Sequence, residues 1–112
     1  MNLAFYHESL RNLGCVVCRT IHDIEIHHTL SGSMSEHGIN VGKGQKNNNW
    51  LVIPLCKNHH TGNEAIHRGV KTWEAKHGTQ LEFLKTLSEF FGIDVFEKAG
   101  YKYDSELDRY YK

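Results

Sequence analysis

Apolar residues recur at helical spacing at the start of the chain: Leu3, Tyr6, Leu10 and Leu13 fall on one face, and Gly14 supplies a stop. The period then changes. Ile24, Glu25 and Ile26 alternate as in a brief strand, which delivers His27 and His28 at its end. From Thr29 to Asn49 the chain is rich in Ser, Gly and Asn and has little periodicity, so a long loop is expected, and loops of that length in small domains are usually functional. Trp50 to Ile53 is a compact apolar run that fits a second strand, with Pro54 expected to end its ladder.

Beyond Gly69, the segment Val70 to His77 reads as a helix stopped by Gly78. Thr79 followed by Glu82 is a capping-box pattern, and Leu81, Leu84, Leu87 and Phe91 give the next helix one apolar stripe that ends at Gly92. That stripe is core. The aromatic and charged tail from Asp94 is read as two short helical turns, making residues 79–112 a helical extension of a motif core at 15–78. With no repeat, low-complexity tract or linker in view, the expectation is one α+β domain over residues 1–112.

Composition adds a reason to seek a metal. A chain of 112 residues can bury only a modest core, and three cysteines cannot all pair with one another. No stretch approaches the roughly 20 apolar residues of a membrane span, and Met1 is not followed by a basic segment and an apolar run. The expected compartment is therefore the cytosol, where disulfides are disfavoured. Nine histidines are the strongest anomaly, and most of them lie near the cysteines.

Thirteen basic and thirteen acidic side chains leave no net charge, which removes the strongly basic signature of many nucleic-acid binders. The distribution is less even. Between Asn40 and Leu81 six basic residues face two acidic ones, and Lys43, Lys46, Lys57, Arg68 and Lys71 become candidate DNA contacts beside the candidate chemistry.

Cys15-Val-Val-Cys18 and Cys56-Lys-Asn-His59 are two short-spaced pairs, each able to present two ligands to one tetrahedral ion from a tight turn. Together they predict a Cys3His zinc site, fully occupied by protein and hence structural. Burial of the cysteines as small hydrophobes accounts for neither the doubled spacing nor the neighbouring histidines.

The remaining histidines suggest a second centre. Adjacent strand residues point to opposite sides, so His27 and His28 are expected to divide two roles: His27 as a metal ligand and His28 as a general base, with Asn49 orienting that base. His60 is the expected second ligand and His67 the third. Seven residues along a continuous helix would separate His60 and His67 by roughly 10 Å, so Thr61-Gly62-Asn63 must break the helix if both bind one ion. His7, His22, His37 and His77 lack paired spacing and read as ordinary histidines.

With these residues in view, the chain resembles HNH (ββα-metal, or His-Me finger) endonucleases, and among them the phage recombination-enhancement nucleases of the Ref family. Cys15-Val-Val-Cys18, Ile26-His27-His28, Gly42-Lys43-Gly44-Gln45-Lys46, Asn49-Trp50 and Ile53-Pro54-Leu55-Cys56 carry the likeness, followed by His59-His60-Thr61-Gly62, Ile66-His67-Arg68-Gly69, Trp73-Glu74 and Gly78. The resemblance implies a zinc-stapled ββα-metal domain with flanking helices. It also implies a divalent catalytic ion (Mg or Mn, with Zn an option) and cutting of DNA paired by a RecA filament, in the bacterial host cytosol if the chain is phage-encoded. By the same likeness His28 matches the general base and His60 and His67 the later metal positions, while the central position falls within Asn47-Asn48-Asn49. Two other readings stand beside it: a zinc-stapled nucleic-acid-binding module without hydrolysis, and a DNase toxin or packaging nuclease on the same scaffold. A His-Glu-x-x-His protease motif is absent.

Overall fold

A computed structural model describes residues 1–41 and 46–112. Helix α1 spans Leu3–Leu13 and buries Tyr6 and Leu10. It starts where Asn2 Oδ1 accepts the Phe5 amide at 2.8 Å. It stops at Gly14, whose φ of +98° and whose approach of a would-be Cβ to Thr20 O, 2.7 Å, exclude a side chain.

Strands β1 (Ile24–His28) and β2 (Val52–Cys56) pair antiparallel, with His27 opposite Ile53 and His28 opposite Val52. The second strand lies later than the apolar run suggests, and Pro54 sits inside it, opposite Ile26. The register explains why the proline does not end the ladder. Thr29 N donates to Leu51 O and Lys57 N to Asp23 O, so the odd-numbered β1 residues form the hydrogen-bonded pairs. Pro54 therefore occupies a non-hydrogen-bonded position, where its missing N–H faces away from β1. Its carbonyl accepts Val16 N at 3.1 Å, tying the first cysteine turn to β2.

A one-turn helix α3 (Lys57–His60) follows directly from β2. A break over residues 61–65 and a short 3-10 turn at Ile66–Arg68 lead into α4 (Val70–His77) and α5 (Gln80–Phe91). Thr79 caps α5 by accepting the Glu82 amide at 3.1 Å, and Gly92 ends it in the left-handed region. Leu81, Leu84 and Leu87 are buried as the stripe predicts, and Phe91 packs edge-on against Tyr6 with ring centroids 5.5 Å apart. Tyr6 also meets Trp50 at 5.4 Å, so the core holds the segment just before β2.

Two further expectations need correction. The stretch from Thr29 to Asn49 is not wholly loop: Ser33–Glu36 forms a helical turn, α2, held by the buried carboxylate of Glu74, which accepts Ser33 N at 3.0 Å. Nor is the tail all helix. Val95–Lys98 makes one turn, α6, and then strands β3 (Lys102–Asp104) and β4 (Arg109–Tyr111) form an antiparallel hairpin. Tyr110 closes it over the core by stacking on Phe96 at 4.3 Å. The result is a small α+β domain in which no helix among the described residues is long and apolar enough to cross a membrane.

Candidate metal centres

Cys15 and Cys18 lie on the turn after α1, where Cys15 N donates to Thr20 O and Arg19 N to Cys15 O, both at 2.9 Å. Cys56 ends β2, and His59 follows three residues later on α3. The four donor atoms lie within 4.8 Å of one another. A tetrahedral site with Zn–S bonds of about 2.3 Å has sulfur–sulfur edges of about 3.8 Å. The Cys18 and Cys56 sulfurs are 3.7 Å apart, and His59 Nδ1 lies 3.1 Å from Cys56 Sγ and 3.8 Å from Cys15 Sγ. The donor set and its spacing fit zinc.

Electrostatics agree. Burial pushes the Cys56 thiol up to about 11, so a thiolate there needs a cation beside it, while a hydrogen bond to the Thr20 backbone holds Cys18 low. Burial also lowers His59, which keeps its imidazole neutral and available as a ligand.

The second cluster joins three elements. His27 comes from β1 and is 1% exposed, His60 from α3, and His67 from the 3-10 turn, where it is exposed. Their ring centroids are 4.8–5.3 Å apart, and one nitrogen from each falls within 4.8 Å of the others. His60 and His67 come together because α3 stops at His60. Gly62 permits the reversal: a Cβ there would stand 2.9 Å from Asn58 Cα. Burial drives His27 down to about 3, and burial with the His60 charge also lowers His67. Lowering of this kind keeps His27 and His67 neutral, with lone pairs available to a borderline cation.

His28 borders the same cleft as His27, His60 and His67, together with Lys46 and Asn47. Its Nε2 donates to Asn49 Oδ1 at 2.7 Å, which leaves Nδ1 with the lone pair. The other two asparagines of the run are used locally. Asn47 Nδ2 donates to Thr29 Oγ1 at 3.0 Å, and Asn48 Oδ1 accepts Trp50 N at 2.8 Å.

Of the candidate DNA contacts among the described residues, only Lys46 lines this cleft. Arg68 adjoins His67 but lines a separate depression with Trp73 and Lys76. Lys57 and Lys71 are exposed on α3 and α4, and Lys43 lies outside the described residues.

Three residues at the site were not singled out from the sequence. Glu25 Oε1 accepts His60 Nδ1 at 2.9 Å, and Gln80 Oε1 accepts His27 Nε2 at 3.1 Å. His7, read as an ordinary histidine, donates through Nε2 to Asn49 O at 2.7 Å and so steadies the residue that holds His28. Glu25 alone carried a signal, since it shares a strand face with His27.

Fold and geometry define a small α+β domain with two clusters, Cys15-Cys18-Cys56-His59 and His27-His60-His67, each able to hold a metal ion. The chain belongs to the family described as protein of unknown function (DUF968), whose model matches residues 2–92. No curated protein and no solved structure matches the chain.

Proposed function

We propose that this protein is a metal-dependent DNA endonuclease of the HNH type, a ββα-metal domain stapled by zinc at Cys15, Cys18, Cys56 and His59. One observation carries the reading: three imidazoles converge on a point while a fourth, His28, borders the same cleft with its Nε2 held by Asn49. Ligands and base are thus supplied separately, as phosphodiester hydrolysis needs. The order β1, β2, α3 with ligands at its junctions supports the same class.

His27, His60 and His67 would hold a divalent ion, which would supply positive charge to the phosphodiester and its leaving oxygen. His28 accepts a proton from water at Nδ1, and that water attacks phosphorus in line, giving 5′-phosphate and 3′-hydroxyl ends. Asn49 keeps the hydrogen on His28 Nε2, and His7 keeps Asn49 in place. Lys46 at the rim meets the phosphate backbone. An all-imidazole donor set favours Mn, Ni or Zn over Mg, which prefers oxygen.

The likeness to Ref-family nucleases extends the proposal to DNA paired by a RecA filament in a bacterial cytosol. The test is cleavage of a RecA-paired displacement loop and of bare single- and double-stranded DNA, with Mn or Mg, by wild type and His28→Ala. Cutting by wild type alone supports the nuclease, and confinement to the paired substrate supports the RecA role. No cutting under any condition replaces the enzyme with a zinc-stapled nucleic-acid-binding module.

A further inference from the structure

We infer that Gln80 and Glu25 are positioning residues that lock the two inner imidazoles of the three-histidine centre into opposite tautomers, His27 offering Nδ1 and His60 offering Nε2, with Glu74 anchoring Gln80. This rests on the reading of that cluster as a metal centre, and it concerns how the protein prepares the ligands before any ion arrives.

Gln80 opens α5 with its side chain fully buried. Its Oε1 accepts Leu30 N at 2.9 Å and its Nε2 donates to Leu30 O at 3.0 Å. Clamped on both backbone groups of one residue, the amide has only one satisfactory orientation, because the flipped form would set N–H against N–H and oxygen against oxygen. The same Oε1 lies 3.1 Å from His27 Nε2. A carbonyl oxygen only accepts, so Nε2 must carry the hydrogen, and a neutral ring has one such hydrogen to place. The lone pair is left on Nδ1.

The clamp is itself held. Glu74, buried, accepts Gln80 N at 2.7 Å and also Ser33 Oγ, so one carboxylate joins the first turns of α2 and α5. Leu30, three residues before α2, is thereby fixed relative to Gln80 through both its N–H and its carbonyl.

Glu25 does the complementary task from β1. It lies two residues before His27, hence on the same strand face, and its carboxylate accepts His60 Nδ1 at 2.9 Å. A carboxylate beside one ring nitrogen raises the donor strength of the other and fixes the ring's orientation. Losing such a partner lowers metal affinity by about 10- to 100-fold.

The direct test is long-range proton–nitrogen correlation NMR on protein carrying zinc at the Cys3His site only. His27 is expected as the Nε2–H form and His60 as the Nδ1–H form. The reverse tautomer at either ring overturns the inference for that ring. Cobalt(II) titration of the same protein gives the second readout. Gln80→Leu and Glu25→Ala are each expected to weaken cobalt binding at the histidine centre about 10- to 100-fold, whereas Glu25→Gln, whose amide oxygen still accepts, restores most of it. If Glu25→Gln falls as far as Glu25→Ala, the residue acts through charge alone and tautomer control by Glu25 is wrong. Glu25 is exposed, so this arm stands even if Gln80→Leu fails to fold. If wild type binds no cobalt there, the metal-centre reading fails, while the NMR spectrum still decides the tautomers.

Discussion

The two clusters meet on one helical turn and differ in nearly every other respect. His59 and His60 are neighbours on α3, yet one completes the Cys3His set and the other belongs to the three imidazoles. The first set provides four ligands, three of them buried, and so can close a tetrahedral ion entirely in protein. The second provides three, grading from buried His27 to exposed His67, and leaves room for water or substrate. Proximity along the chain therefore says little about function. Under the proposed function, donor chemistry and whether the last coordination position is protein would separate the structural centre from the reactive one.

Breaking the closed centre is expected to have the largest effect. Zinc contributes roughly 10–16 kcal/mol to folding in small zinc-dependent modules, comparable to the whole stability of a domain this size. Cys56→Ser should abolish the cooperative thermal transition and metal binding at both centres, because α3, which carries His60, follows directly on that residue. Circular dichroism with metal analysis checks this, and retention of a cooperative melt would show that the core suffices without the staple.

In the open centre, His28→Ala should cut turnover by about 100-fold or more while zinc content and melting stay at wild-type values. A fall in structural zinc would mean that the two centres are not separable. Asn49→Ala should act in the same direction but less: a lost hydrogen bond of about 1 kcal/mol corresponds to roughly fivefold in kcat, measured with metal content unchanged. The smallest effect is expected for Lys46→Ala, which should raise KM and reduce the salt dependence of DNA binding by about one phosphate contact. An unchanged salt slope would remove Lys46 from the DNA path.

The closed centre was the more legible of the two in the sequence, because its ligands come as two local pairs whose spacing is itself the signal. The open centre was legible by residue type: His27, His60 and His67 stand out, and the geometric need for a break after His60 is met by the turn around Gly62. Its support was not. Gln80 lies 53 residues from His27, and a glutamine at a helix start carries no pattern that distinguishes it from a surface residue. The short helix α2 escaped for the same reason, since its anchor, Glu74, is 41 residues away from Ser33. Pro54 misled because a proline's tolerance in a strand depends on register, which only the pairing partner defines. The tail misled because Tyr103, Tyr110 and Tyr111 fall at spacings a helix face also allows, whereas Tyr110 stacks on Phe96 and meets Tyr103 across the hairpin, contacts that only the folded chain defines.

The most direct test of two centres with separate work is a metal titration of wild type and His60→Ala, followed with cobalt, whose thiolate and imidazole complexes are spectrally distinct. Two equivalents are expected in wild type, one of them thiolate-bound, and only the thiolate-bound equivalent in His60→Ala with an unchanged melt. A single equivalent in wild type, or loss of the thiolate-bound ion in His60→Ala, would rule out two separate centres.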